Sequence, residues 1–272
     1  MDLNLIIYAL NLAAIYSLMA IGISLLWSSV GMINMAHGAT FVVSGYSTFI
    51  ASGWLVPILK ASLAGTAFYT PVLVFSMTSV ALLSGAIFGA IIYLVAFLPL
   101  HDKPNFAIRS LIATLAINIA TVQFFLWWFG PRQKALPKLF GFGRIDFLDF
   151  SIRYDQAATI IGTLLLVGFM LLWFRNSRLG LEIRAMMQNP EGAALSGISI
   201  RRRALPVMML TGSLAGMAAI LLSQTSFFSP TAGALPLIKG LTIALLGGLG
   251  SVAGAMLGAL IIGILEVITG EI

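Results

Sequence analysis

Cysteine is absent from the 272 residues, which removes disulfide frameworks, zinc-thiolate clusters and thiol nucleophiles from consideration. Histidine is almost absent: His101 sits beside Asp102 in a loop with no organised serine partner, and His37 opens an apolar run. Neither belongs to a hydrolytic triad or to a His and carboxylate cluster with metal-ligand spacing, so acyl-transfer catalysis and a metal site drop out. No glycine-rich loop ending in Lys-Ser/Thr occurs, so the chain cannot hydrolyse ATP itself and is not an enzyme in its own right. The N-terminus also lacks a basic n-region, and its apolar run is too long for a cleaved leader. Leu5–Trp27 is therefore a retained span.

Charge is scarce as well, at 9% of residues, against 60% hydrophobic residues and a mean hydropathy of +1.03. That balance describes an all-α, polytopic transmembrane helical bundle occupying residues 1–272 as a single membrane domain. Except for Asp2, Lys60, Lys239, Glu266 and Glu271, every charged residue falls between Asp102 and Arg203. The net charge of +6 reflects basic residues flanking spans, where they set topology and meet anionic lipid, and does not indicate nucleic-acid binding.

A crossing helix needs about 20 mostly apolar residues. The candidates are Leu5–Trp27, Ile33–Ala51, Pro71–Leu98, Ser110–Phe129, Ala157–Phe174, Ala204–Gln224, Leu235–Gly248 and Ser251–Ile268, about eight in all. Gly31, Asn34, His37 and Gly38 interrupt the second, and the seventh is short and ends in glycine. Both predict broken or partly re-entrant helices of the kind that line a cavity. No strong direct repeat is visible.

The stretch Gly180–Gly197 is polar and helix-prone, and six arginines lie between Arg175 and Arg203. Burying them in lipid would cost about 15 kcal/mol at roughly 2.5 kcal/mol each. The segment 175–203 is thus expected in water on the cytoplasmic side. The segment 130–156, which mixes Asp146, Asp149 and Asp155 with basic residues and Gly and Pro punctuation, is expected as a folded external loop, with the N-terminus external too. Asn189-Pro190 reads as a helix start, because Asn caps free N–H groups and Pro at the first helical position has no donor to lose. Two helices meeting there would form an elbow, with Leu181, Met186, Met187, Ala193 and Leu195 available as an apolar face. A plain connector between spans is the bland alternative.

Asn34 and His37 are costly in an apolar setting unless bonded. They either satisfy backbone groups freed at a helix break or, with Gly38, line a solute path. Gly250, Gly254 and Gly258 recur every four residues, which predicts close helix packing on one face, with a seam between subunits as the alternative. Lys239 and Glu266 read as isolated charges snorkelling to the interface. Phe124, Phe125, Trp127, Trp128 and Phe129 read as an interfacial aromatic belt.

Four segments, in order, resemble the permeases of branched-chain amino-acid ABC importers, the hydrophobic amino-acid and amide uptake group. They are Val30–Gly38 followed by Gly45-Tyr46; Leu98-Pro99-Leu100 followed by Ile112-Ala113-Thr114; Gly180 through Gly197; and Ile238-Lys239-Gly240 through Leu246–Ser251 and Gly254-Ala255 to Glu266. In the third, Gly180, Arg184, Ala185, Gln188, Asn189, Pro190, Ala194 and Gly197 match the family's coupling helix and its loop.

The resemblance implies that this loop docks on a cytosolic ATPase. It further implies a homologous permease, making a heterodimer, two ATPase subunits that bind ATP and Mg, an external or periplasmic solute-binding protein, and an inner (plasma) membrane location. No cofactor is expected in this chain. A urea or short-amide permease is the alternative within the family. An ATP-independent secondary transporter or channel, and a membrane scaffold, are the alternatives outside it. Family members usually continue past the final glutamate with a polar loop, another span and a cytoplasmic end, whereas this sequence stops at Ile272, through natural shortening or truncation.

Overall fold

A computed structural model describes residues 3–141, 143–147 and 150–270; Asp2, Asp149 and Glu271 lie outside the described residues. The chain runs α1 (Leu3–Val30), α2 (His37–Leu63) and α3 (Tyr69–Ile92), which passes through a π-helical turn (Tyr93–Phe97) into α4 (Leu98–Leu100). Next come α5 (Phe106–Phe129), a hairpin of β1 (Arg144–Phe147) and β2 (Phe150–Arg153), and α6 (Tyr154–Asn176). The short α7 (Arg178–Gln188) and α8 (Pro190–Leu195) lead into α9 (Ile200–Thr225), α10 (Ala234–Leu246) and α11 (Val252–Gly270).

Among the described residues seven helical stretches are long and apolar enough to cross a membrane, and α10 is a shorter apolar helix. The protein is a multi-pass helical bundle. At about 1.5 Å per residue the 13 residues of α10 reach only about 20 Å, short of the ~30 Å hydrocarbon layer. The second span departs from its expected limits. It begins at His37 and runs on to Leu63 through Pro57, so the apparent stop near Ala51 is not one.

Helix α1 is the axis of the bundle, with α6, α9, α10 and α11 packed around it. This explains its apolar residues on every side, since a helix enclosed by others has no face to keep polar. The second dense contact joins α3 to α9 through glycine. A Cβ on Gly85 would lie 2.2 Å from the Gly212 carbonyl oxygen, and one on Gly89 would lie 2.2 Å from that of Met208. Removing the side chain lets two backbones touch, which is how spans gain dispersion contact where lipid offers no hydrophobic drive.

The aromatic belt divides. Trp127 and Trp128 point outward, but Phe125 is buried, and it and Phe129 pack at a tilt against Tyr46 of α2 with ring centroids 4.8 and 4.6 Å away. Segment 130–156 is fastened to the bundle. Lys134 and Phe228 pair through their backbones, the Leu139 N–H donates to Gln224 Oε1 at 2.8 Å, and the buried Asp155 meets Arg153 and Lys138.

Candidate functional site

Four local devices shape the elbow at the end of the bundle opposite the hairpin. Ser177 caps α7 by accepting the Gly180 N–H at 2.9 Å. Gly180 packs on the last turn of α6 so tightly that a Cβ would lie 2.4 Å from Phe174 Cα, which makes glycine obligatory there. Asn189 ends α7 and starts α8: its Oδ1 accepts the Gly192 N–H at 2.9 Å, and Pro190 takes the first helical position. Gly197, with φ of +84°, closes α8 in a left-handed turn while the Ile198 N–H returns to the Ala193 carbonyl.

The elbow has two faces. Ile183, Met186 and Ala193 are buried, and α7 packs against α1, α6 and α9. Arg203 of α9 clamps Glu182 of α7 with two contacts, one of them Nη2 to Oε1 at 3.0 Å. The opposite face carries Arg184, Gln188, Asn189, Pro190, Ala194 and Gly197, all exposed, along with Leu181 and a Leu195 that is 91% exposed. The apolar set expected on one face is therefore split, with Met186 and Ala193 pointing in and Leu181 and Leu195 pointing out. Gly180 is buried and Ala185 half-buried, so these two shape the elbow from within.

The second region is the break between α1 and α2. Gly31 turns the chain with φ of +69°. Asn34 Oδ1 then accepts the Ala36 N–H at 3.0 Å, and the Asn34 carbonyl accepts the His37 N–H at 3.3 Å. Thr114 of α5 braces the same loop by accepting the Met35 N–H at 3.0 Å through Oγ1. The His37 imidazole is buried against Gly22 of α1, where a Cβ would lie 2.8 Å from Nε2, and Nε2 has no partner among the described residues. Helix α2 thus starts inside the bundle. It meets the start of α10 there: a Cβ on Gly233 would lie 2.1 Å from the Gly38 carbonyl oxygen.

A recess of about 210 Å³ opens beside this junction, lined by Gly38, Val42, Asn118, Val122, Gln123 and Thr231 among others. Asn34 and His37 do not line it. Asn118 and Gln123 were not singled out by sequence, although amides in mid-span are expensive enough to have been a signal.

The small-residue series is not one helical face. Gly250 lies in the turn before α11 with φ of +94°, and its N–H donates to Ser24 Oγ at 2.6 Å. Gly254 abuts Gly247, where a Cβ would lie 1.8 Å from the carbonyl oxygen, and Gly258 faces Ile243 of α10. Lys239 and Glu266 do not snorkel separately. They pair at 2.5 Å, because α10 and α11 both lie on α1 and bring the two together beside Tyr16. No group of three or more metal-ligating side chains occurs among the described residues.

The family described as branched-chain amino acid transport system permease components matches residues 5–272. The chain belongs to this family. Similar permeases include the high-affinity branched-chain amino acid transport system permease proteins BraD of Pseudomonas aeruginosa, 29% identical over 99% of this chain and 87% of the relative, and LivH of Escherichia coli K12, 29% identical over 95% and 83%. A probable LivH from Methanocaldococcus jannaschii is 32% identical over 93% of this permease and 78% of its own length. No solved structure matches the permease.

Proposed function

We propose that the chain is the transmembrane permease subunit of an ATP-binding-cassette importer for branched-chain or other hydrophobic amino acids. Membership of the family supports this reading, and so do the names of the relatives. The elbow Gly180–Gly197 carries the mechanism. It presents Arg184, Gln188, Asn189 and Pro190 to solvent while its buried side is packed into α1, α6 and α9. A force on its outer face therefore reaches three membrane helices through close-packed side chains.

In this proposal the segment 175–203 is cytoplasmic, and the segment 130–156 and the N-terminus are external. Two ATPase subunits bind ATP and Mg, a homologous permease completes a heterodimer, and an external solute-binding protein delivers cargo at the inner membrane. This chain needs no cofactor and performs no catalysis. ATP binding closes the ATPase dimer, the elbow follows, and the helices that begin inside the bundle switch their openings between faces. At the break, Gly38 belongs to the solute path, while Asn34 and His37 hold the geometry from which α2 starts.

Reconstitution of the complete complex tests the reading. Labelled leucine should enter vesicles only with ATP, and Asn189→Ala or Arg184→Ala should lower uptake per ATP hydrolysed. ATP-driven entry of urea in place of leucine would point to the amide branch, and leucine flux without any ATPase would point to a secondary transporter.

A further inference from the structure

Helix α5 is the least buried of the spans: of its side chains only Ser110, Thr114 and Phe125 are buried. An outward face of this kind is tolerable in lipid when apolar, and its hydroxyls obey that rule. Thr121 donates to the Ile117 carbonyl at 2.7 Å. Asn118 and Gln123 break it. Their side-chain amides have no hydrogen-bond partner among the described residues, and Asn118 lies halfway along the helix. An amide without a partner in hydrocarbon costs several kcal/mol, so this face meets water or a polar ligand.

The recess between α2, α5 and the start of α10 is where both amides converge. Its volume of about 210 Å³ leaves room for several waters or one small solute. The touching backbones of Gly38 and Gly233 form its floor, and Val42, Ile119 and Val122 give it apolar walls. Apolar walls with a few placed polar groups are the usual make-up of a small-molecule site. Among the described residues no charged side chain lines it, so a cationic or anionic side chain would find no counter-charge. Five residues before Gly233, Phe228 pairs with Lys134 of the 130–156 segment, so the recess lies toward that end of the bundle.

We infer that this recess is a solute-selecting station of the permease. Asn118, Gln123 and Thr231 there hydrogen-bond the ammonium and carboxylate of a neutral amino acid, while Val42, Ile119 and Val122 receive its aliphatic side chain. The inference rests on the importer reading and deepens it. Neutral hydrogen-bonding groups suit a transported zwitterion, because they orient it without the ion pairing that would slow its release.

The test uses the whole complex in vesicles, with labelled leucine and alanine as probes. Asn118→Leu and Gln123→Leu should each cut leucine uptake at least tenfold while ATP hydrolysis stimulated by the binding protein stays within twofold of the parent. Val122→Phe, which fills the recess, should lower the leucine-to-alanine uptake ratio at least fivefold, and Ile108→Phe, at an exposed α5 position outside the recess, should not. Unchanged uptake and an unchanged ratio would overturn the assignment. So would weaker recovery of the partner permease with the ratio intact, which would make the face a subunit seam. A parent complex with no ATP-driven leucine uptake would fail the importer reading itself, and a parent that transports leucine while the variants do so equally would fail this inference alone.

Discussion

The Lys239 ammonium lies 2.5 Å from Glu266 Oε1 and 3.0 Å from the Tyr16 hydroxyl, which in turn donates to the same carboxylate oxygen at 3.3 Å. Three helices, α10, α11 and α1, are thereby tied at a point where each is otherwise apolar. Away from bulk water the charges neutralise one another, and loss of either leaves the other exposed to a poor solvent. Lys239→Met or Glu266→Met should each lower the thermal unfolding temperature in detergent more than the double variant Lys239→Met/Glu266→Met does. A double-mutant cycle should give a coupling of about 1 kcal/mol or more.

Contact between α3 and α9 depends on missing side chains. Gly212→Leu has no room, since even a Cβ there would lie 2.2 Å from the Gly85 carbonyl oxygen. It should therefore force the two helices apart and sharply reduce the yield of folded protein. Gly53→Leu is the control: a Cβ on this exposed α2 position meets nothing within 4 Å. Size-exclusion profiles of the two variants, expressed in parallel, check the difference.

Asn189 has a structural and a docking role that chemistry can separate. Asn189→Ala removes the acceptor for the Gly192 N–H and should cost about 1 kcal/mol of local helix stability. Asn189→Ser keeps a capping oxygen and should restore much of the coupled uptake lost in the alanine variant. If serine does not help, the side chain acts on the ATPase and not on the elbow's shape. Leucine uptake per ATP hydrolysed measures this directly.

Much of the bundle is legible in the sequence because crossing a membrane takes about 20 apolar residues whatever surrounds them. The elbow is equally legible, since Asn189-Pro190 and Gly197 act on local backbone geometry, whereas Gly180 is fixed by its contact with α6. Tertiary partners are not. Lys239 and Glu266 are 27 residues apart and meet only because α10 and α11 both lie on α1. Phe125 and Phe129 look like belt residues until Tyr46 is placed beneath them. The end of α2 at Leu63 is hidden because Pro57 and Lys60 imitate a helix stop. For the solute path, the sequence marks the helix break at Asn34 and His37, whereas the recess depends on which elements flank Gly38, and those are α5 and the start of α10.

The decisive measurement exploits the absence of native cysteine. Leu195→Cys places one thiol on the most exposed large apolar side chain of the elbow. In intact cells expressing the whole complex, the thiol should resist a membrane-impermeant maleimide added outside and should form a zero-length or short cross-link to an ATPase subunit. Labelling from outside, or a thiol reachable only from the cytosol yet never cross-linked to an ATPase, would contradict the coupling role of the elbow.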